Sequence, residues 1–359
     1  MTVEEFDERF SRHFPLKSIG MANQKILATK RALIAGLGGL GTVSSELLAS
    51  IGIGNLRIVD FDVVEISNLP RQKLYNEVDI GKAKVDVAEE RLKLRNPFIS
   101  IDPQPTRIDA ISSASLVENI DVVVDGLDLF RTRRILHRVA YASRVPYAFA
   151  GAVGESANLM TIIPDDKYPC LECVLGDIVD DPNQSCELRG VHPGILHLTA
   201  GIQALEATKL LLGQKPAYVG KMLFIDLESM EFESVNFKPK KDCPVCGETE
   251  NTELDTGNLG EIARAHREIE NHGKALITSI CGRDTLIIDP KWEINWEFDK
   301  IKLQIANHWN VLVEGNNYVT FKIEDVNVSL LKSGVSTVRG SKSSKNAILL
   351  TKKIFDKIA

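Results

Sequence analysis

The stretch Arg31-Ala-Leu-Ile-Ala-Gly36-Leu-Gly38-Gly39-Leu-Gly41 decides the fold. A short apolar run, Ala32 to Ala35, opens into glycines spaced G-x-G-G-x-G. Leu40, Val43, Leu47, Leu48 and Ile51 then follow at helical spacing. A strand that breaks into a glycine turn and then a helix is the first βα turn of a dinucleotide-type fold. Gly36, Gly38, Gly39 and Gly41 let the backbone approach a phosphate, and the helix N-terminus adds free N–H groups and a positive dipole end. The second strand, over 56–60, ends in Asp60, at the separation expected of a ribose-hydroxyl acceptor. These features predict a bound nucleotide and leave its identity open.

Working outward, two short helices are expected before residue 31, with the basic and aromatic cluster Arg9-Phe-Ser-Arg12-His-Phe14 inside the first. After Asp60 comes a polar segment, and then a helix containing Gly81, Lys82 and Lys84 that stops at Asn96-Pro97. Strands near 99–103, 120–125 and 146–150 alternate with helices near 111–119 and 130–143. Such βα alternation predicts an α/β fold, a Rossmann-like mixed sheet that is mostly parallel with helices on both faces. Asp60 and Asp128 fall at carboxyl ends of strands beside the glycine loop, where open α/β sheets gather ligands. From residue 158 the pattern suggests an antiparallel part of the sheet, a buried helix over 195–212 and strands at 221–226 and 231–236. We divide the chain into a nucleotide-binding domain over 1–248, a polar, acidic linker over 249–273 and a small α+β domain over 274–359, with strands expected near 274–280, 284–289, 310–313, 318–323 and 326–332 and helices near 295–307 and 345–358.

The 359 residues are 44% hydrophobic and 26% charged, and 43 basic against 49 acidic residues give a net charge of −6. That balance carries no nucleic-acid footprint. No apolar run approaches the ~18–20 residues of a membrane span. The N-terminus, Met-Thr-Val-Glu-Glu-Phe-Asp-Glu, lacks the apolar stretch of a signal peptide, so a cytoplasmic protein is expected. Four of the six cysteines form two Cys-x-x-Cys pairs, Cys170/Cys173 and Cys243/Cys246. In a cytosolic chain such pairs read as metal ligands, and four thiolates would complete a closed, tetrahedral, structural zinc site; a redox Cys-x-x-Cys is the alternative, which the presence of two pairs disfavours.

A glycine turn of this kind most often means NAD or FAD. Here, however, Asp60 is followed by Asn68, Arg71 and Lys84. A guanidinium and an ammonium near the glycines suit a triphosphate, with about four negative charges to neutralise, better than a pyrophosphate diester. No G-K-[S/T] follows, so the turn is not a P-loop.

Gly36-Leu-Gly-Gly-Leu-Gly41, Asp60-Phe-Asp62, Ser67-Asn68-Leu-x-Arg71-Gln72, Gly81-x-x-Lys84 and the cysteine pairs together resemble the ThiF/MoeB family, adenylating enzymes related to ubiquitin-activating enzymes. The resemblance spans residues 5–247 and includes Gly201-Ile-Gln-Ala-Leu-Glu206-Ala-x-Lys209. It implies adenylation of the C-terminal glycine of a small β-grasp carrier, ThiS-, MoaD- or ubiquitin-like, ending in Gly-Gly. It also implies ATP and Mg2+ as ligands. Asp60 would bind ribose, Asn68, Arg71 and Lys84 would contact phosphate, and Asp128 would hold magnesium, with Asp62 and Gln72 in the same motifs. Arg12, in Arg9-Phe-Ser-Arg12, would reach ATP from the neighbouring subunit of a homodimer. The chain departs from the family where Thr-Asp-Asn is replaced by Leu127-Asp128-Leu129.

Cys186 lies in a polar stretch before the long helix, and the family's transfer cysteine occupies a matching place. By that resemblance it would form a thioester, persulfide or acyl-disulfide with the carrier, and nearby Arg189 would favour its thiolate. Residues 274–359 resemble the small C-terminal domain of some prokaryotic members through Thr278-Ser-Ile-Cys281-Gly-Arg-Asp284 and Gly334-x-Ser-x-x-x-Arg339-Gly340. No rhodanese-like cysteine loop is visible, so a sulfur donor would be a separate protein. An NAD-dependent oxidoreductase and a non-catalytic scaffold of the same fold remain as alternatives.

Overall fold

The computed structural model describes residues 2–176, 178, 180, 189–247, 275–279, 285–290, 296–341 and 344–358. Cys186, Cys281 and the expected linker lie outside them. Two helices, α1 (Val3–Phe10) and α2 (Gly20–Leu27), precede β1 (Arg31–Ala35), α3 (Gly39–Ile51) and β2 (Asn55–Val59). Then come α4 (Lys84–Arg95), β3 (Ser100–Gln104), α5 (Ser112–Val117), β4 (Val122–Asp125), α6 (Phe130–Ala142), β5 (Tyr147–Val153) and β6 (Ser156–Ile162). A short α7 (Leu171–Leu175), the long α8 (Pro193–Leu211), β7 (Lys221–Asp226) and β8 (Glu231–Asn236) complete the first sheet.

That sheet runs β3-β2-β1-β4-β5-β6-β7-β8. Neighbours from β3 through β5 pair in parallel, whereas β6, β7 and β8 join antiparallel. The mixed, mostly parallel sheet expected from the sequence is therefore present. Its helices cover both faces. Leu48, Val85, Leu92, Ala204 and Leu211 pack on one side, and Leu116, Leu136 and Ala140 pack with Cys170, Cys173 and Cys243 on the other. The chain leaves β1 toward β2 and returns to β4 on β1's other edge, so the switch point lies between β1 and β4. There Gly126 donates its N–H to the Ala35 carbonyl at 2.8 Å, closing the two loops on each other.

Helix α3 stops at Gly52, whose φ of +88° is the left-handed conformation that glycine adopts freely. A Cβ there would meet the Phe10 ring at 2.6 Å, so the same glycine seats α1 against the end of α3. In α8, buried Gln203 donates to the carbonyls of Asp125 and Ala148 and accepts from Ser44 Oγ, each at 2.8 Å. One amide thus ties α8 to β4, β5 and α3.

The C-terminal part forms a second sheet, β11-β12-β13-β14-β10-β9. Its strands are β9 (Ala275–Ser279), β10 (Thr285–Pro290), β11 (Asn310–Glu314), β12 (Tyr318–Ile323), β13 (Val326–Leu331) and β14 (Ser336–Arg339). Helices α9 (Phe298–His308) and α10 (Ser344–Ile358) accompany it. Ile301, Ile305, Phe321, Leu330 and Ile354 give it a core of its own. It also shares one, since Ile287, Tyr318, Leu331 and Val335 pack with Val64, Leu74, Tyr75 and Val85.

Three local readings are corrected. Gly81 and Lys82 precede α4, which begins at Lys84 after an extended Ala83. Arg12 lies beyond α1, which ends at Phe10. Strand β14 is hidden in the sequence by its short, hydroxyl-rich Ser336-Thr-Val-Arg339.

Candidate functional site

The glycine loop joins β1 to α3 at the switch point. Gly36 has a φ of +87°, and a Cβ on it would come within 2.9 Å of the Gly126 carbonyl oxygen. Gly41 packs tighter still, since a Cβ there would meet the Gly36 carbonyl oxygen at 1.9 Å. A Cβ on Gly39 would collide with Leu196 of α8. Gly38 is the N-cap of α3, and no side chain caps that terminus. The leading N–H groups of a 13-residue helix therefore face the crevice with nothing of the helix's own to satisfy them, as an anion site requires.

Asp60 follows β2 directly. Its Oδ2 accepts the Leu37 N–H and its Oδ1 the Asp62 N–H, both at 2.8 Å. Loss of water around the carboxyl pushes its pKa up, against the pull of Lys84 and with a further push from Asp62. Beneath the loop, the buried Tyr75 hydroxyl donates to the Leu37 carbonyl at 3.0 Å.

Lys84, 5% exposed, is the first residue of α4. Its ammonium lies 2.9 Å from Asp62 Oδ2. Burial works against that charge, but Asp60, Asp62 and Asp128 outweigh it and hold its pKa above the ordinary lysine value. The crevice therefore brings an ammonium favoured in its charged form together with the carboxyl groups of Asp60, Asp62 and Asp128, and Asp128 is exposed at its rim.

Asn68 closes a 3-10 turn, Ile66–Asn68, capped reciprocally with Glu65. It is 1% exposed and accepts the Glu65 N–H at 3.1 Å. Arg71 follows one turn later, its Nη1 2.5 Å from the Ser67 carbonyl oxygen. The next residues are drawn toward the glycine loop, since the Lys73 N–H donates to Thr42 Oγ1 at 3.3 Å and Thr42 in turn donates to the Gly38 carbonyl at 2.8 Å. Gln72 is 4% exposed and its buried Oε1 has no partner. A buried acceptor left open is what a ligand hydroxyl or amine would satisfy. The uncapped helix, the glycine cradle, the ammonium and this orphaned oxygen fit a nucleotide triphosphate, and exposed Asp128 fits a hydrated magnesium ion.

The loop carrying Asp128 is fixed by residues that sequence reasoning missed. Arg133 Nε lies 3.5 Å from Asp125 Oδ2, its Nη2 donates to the Leu127 carbonyl, and its guanidinium sits over Phe149, 4.9 Å from the ring centre. Nothing in the sequence separates it from Arg131, Arg134 and Arg138 on the same helix. The Leu129 departure also has a structural counterpart. Leu129 is the N-cap of α6 and offers no side-chain cap, and Asp180 takes that place, accepting the Phe130 N–H at 2.6 Å and the Arg131 N–H at 3.3 Å.

Arg12 is not part of this constellation within its own chain. Phe10, two residues earlier, packs at Gly52, and the 13 residues of α3 separate that end from the glycine loop by about 20 Å. His192 is the N-cap of α8, where Nδ1 accepts the Gly194 N–H at 3.0 Å.

The two cysteine pairs do converge. Cys170 and Cys243 sulfurs are 3.5 Å apart, Cys173 and Cys246 sulfurs 3.3 Å, and all four lie within 4.8 Å of one another. Sulfurs around a tetrahedral zinc would stand ~3.8 Å apart, so the four residues fit that ion with small adjustment. Glu172, between Cys170 and Cys173, is buried and paired with Arg134 and Arg138 of α6, and the Lys240 N–H donates to Cys173 Sγ at 3.3 Å. Closure by four thiols leaves no position for a substrate.

Residues 10–245 match the ThiF family. The chain is 37% identical over 243 residues to the SAMP-activating enzyme E1 of Haloferax volcanii, covering 67% of this chain and 89% of that one. It is 30% identical over 355 residues to the sulfur carrier protein ThiS adenylyltransferase of Bacillus subtilis, covering 97% and 98%. Among solved structures it resembles Escherichia coli MccB with ATP, at a TM-score of 0.59 and 25% identity over 69% of this chain and 76% of that one.

Proposed function

The chain belongs to the ThiF family, and from that premise we propose that it is an ATP-dependent adenylyltransferase acting on the C-terminal glycine of a small ubiquitin-like or sulfur-carrier protein ending in Gly-Gly. One observation carries the reading. The uncapped α3 terminus, the Asp60 acceptor and the buried Lys84 cation meet at the switch point, in a chain whose relatives are named as carrier-activating enzymes.

The carrier's terminal carboxylate is already an ionised nucleophile, so its attack needs no general base. A carboxylate oxygen forms a bond to the α-phosphorus of ATP while the bond to the bridging oxygen breaks. That bond's electron pair leaves with pyrophosphate. The obstacle is bringing an anion to a polyanion, which fixed cations and N–H donors remove. Asp60 accepts from the ribose, Asn68 and Arg71 contact phosphate with Lys84, and Gln72 Oε1 accepts from the nucleotide. Asp62 holds Lys84 in place, and Gly36, Gly38, Gly39 and Gly41 let the backbone approach. Asp128 would hold Mg2+, which when bound neutralises phosphate charge. Arg12 serves the site of the second subunit in a homodimer.

Transfer then proceeds through Cys186. Its thiolate attacks the acyl-adenylate carbonyl, a C–S bond forms and AMP leaves, and persulfide or acyl-disulfide chemistry requires a separate sulfur-donor protein. The cysteine cluster binds zinc as a structural ion. We place the adenylation machinery in residues 1–248, with the added domain in 274–359, and the protein in the cytoplasm. Among the described residues no helix is long and apolar enough to cross a membrane.

ATP–pyrophosphate exchange with candidate Gly-Gly carriers tests the reading. Exchange dependent on the carrier's final glycine is expected, and absence of exchange with every co-occurring carrier overturns it. NADH turnover would favour the oxidoreductase, against which Arg71 and Lys84 already speak.

A further inference from the structure

Most contacts of the C-terminal sheet with the first part of the chain fall on the crossover between β2 and α4, which carries Asn68 and Arg71, and on the first turn of α4, which carries Lys84; one more, Ser333 Oγ donating to the Pro105 carbonyl at 2.7 Å, lies just beyond β3. Arg339 Nη2, at the end of β14, lies 2.5 Å from Glu65 Oε1. Thr320 Oγ1, in β12, donates to the Gly81 carbonyl at 2.8 Å. Asn317 donates to Asp86 through its side-chain amide at 2.7 Å and its backbone N–H at 3.3 Å.

Each partner adjoins a phosphate-site residue and helps to fix it. Glu65 is the reciprocal cap of the Ile66–Asn68 turn, so a shift of Glu65 moves Asn68 and the turn leading to Arg71. Gly81 donates to the Val64 carbonyl at 2.9 Å, in the pairing that also delivers the Lys84 N–H to the Asp62 carbonyl at 3.0 Å. Asp86 sits in the first turn of α4, two residues after Lys84.

The crossover needs such support. Between Val59 and Lys84 it contains two three-residue 3-10 turns and a single bridge, Val63 with Ala83, and no strand or α-helix. Its own hydrogen bonds are mostly short-range turn contacts, such as the Asn68 N–H to the Glu65 carbonyl and the Gln72 N–H to the Asn68 carbonyl, both at 2.9 Å, and an irregular segment of this kind binds a polyanion more tightly when another element fixes its position beforehand. The shared core at Tyr318, Leu331 and Val335 supplies attachment, and the three polar contacts supply register.

We infer that the C-terminal domain is a clamp that pre-orders the phosphate-binding crossover, with Arg339 as a positioning residue acting through Glu65 on Asn68 and Arg71. The inference rests on the nucleotide reading of that site given above. It gives a task to the Arg339 motif, which the adenylation chemistry leaves unused.

The test uses the full-length, zinc-loaded chain. Arg339→Gln should raise the KM for ATP in pyrophosphate exchange about fivefold to tenfold while kcat changes less than about twofold, and Arg339→Lys, which keeps the charge, should recover most of the loss. Without nucleotide, hydrogen exchange of amides in 62–72 should quicken in Arg339→Gln, and that of α8 should not change. Asn317→Ala, which removes a separate contact, should act in the same direction and serves if Arg339→Gln folds poorly. An unchanged KM, or unaltered amide exchange in 62–72, overturns the clamp. If the wild-type chain itself gives no pyrophosphate exchange, the nucleotide reading fails, and the amide exchange decides the clamp alone.

Discussion

Lys84 Nζ lies 2.9 Å from Asp62 Oδ2, in a side chain only 6% exposed. The ammonium is thus held charged, oriented and nearly dry before any phosphate arrives, where electrostatic interactions are stronger than in water. Lys84→Ala should lower carrier-dependent pyrophosphate exchange by roughly 10²- to 10³-fold. Lys84→Arg should not restore it, because the enclosed site was built around a compact ammonium. Exchange within about tenfold of wild type in Lys84→Ala, with the variant folded by circular dichroism, would remove Lys84 from the mechanism.

Zinc should be found by atomic emission at one ion per chain and be lost in Cys173→Ser. Structural tetrathiolate zinc contributes several kcal/mol of folding free energy, so the variant's Tm should fall by about 10 °C or more. Below its own Tm the variant should keep pyrophosphate exchange, since a closed site touches no substrate. Selective loss of exchange in a fully folded variant would give the metal a catalytic role instead.

Glu206 makes acid stability legible. Buried in α8, it accepts from Thr161 Oγ1 at 3.0 Å, from the Ala217 and Tyr218 N–H groups at 3.0 and 2.9 Å, and pairs with Lys209 at 2.8 Å. Burial alone would raise its pKa, but Lys209 and the two backbone donors outweigh that and hold it below the ordinary value of 4.5. The folded pKa is thus depressed, so the stability Glu206 contributes is complete above 4.5 and is lost as pH falls through the lower folded value. Glu206→Ala should cost about 3 kcal/mol in urea unfolding at pH 7 by leaving Lys209 and two N–H donors unpaired. Glu206→Gln should flatten the pH dependence of stability below 4.5, and an unchanged acid limb would refute this assignment.

The pairing of Leu129 with Asp180 at the start of α6 predicts a compensation. Asp180→Ala should lose about 1 kcal/mol by uncapping the helix, and Leu129→Asn in that background should return most of it, because asparagine is among the best N-cap residues. In the wild-type background Leu129→Asn should gain little, since the cap is already supplied. Equal gains in both backgrounds, measured by urea unfolding, would show that the two positions act independently.

Much of the site was legible because its residues are close in sequence. The run from Gly36 to Gly41 forms one turn, and Asp60, Asp62 and Lys84 follow closely enough in the chain for a single connection to set the Lys84 ammonium beside the Asp62 carboxylate. Residues whose roles depend on a distant element were not legible. Arg133 looks like any other arginine of α6 until Phe149 and Asp125 are seen around it. Asp180 is one acid in a polar run until it meets the α6 terminus. The helix start at Lys84 rather than Gly81 was hidden because the apolar period continues across both.

The sequence by itself determined the parallel βα order, the glycine turn and the set of four paired cysteines, since periodicity, glycine spacing and paired cysteines act over a few residues. Only the tertiary structure decided that the cysteine pairs, 73 residues apart, meet, and that Lys84 is dry and paired. It also decided that Arg339, in the C-terminal sheet, reaches Glu65. Those contacts depend on how separate elements pack, and burial and charge pairing between distant residues leave no period in the chain.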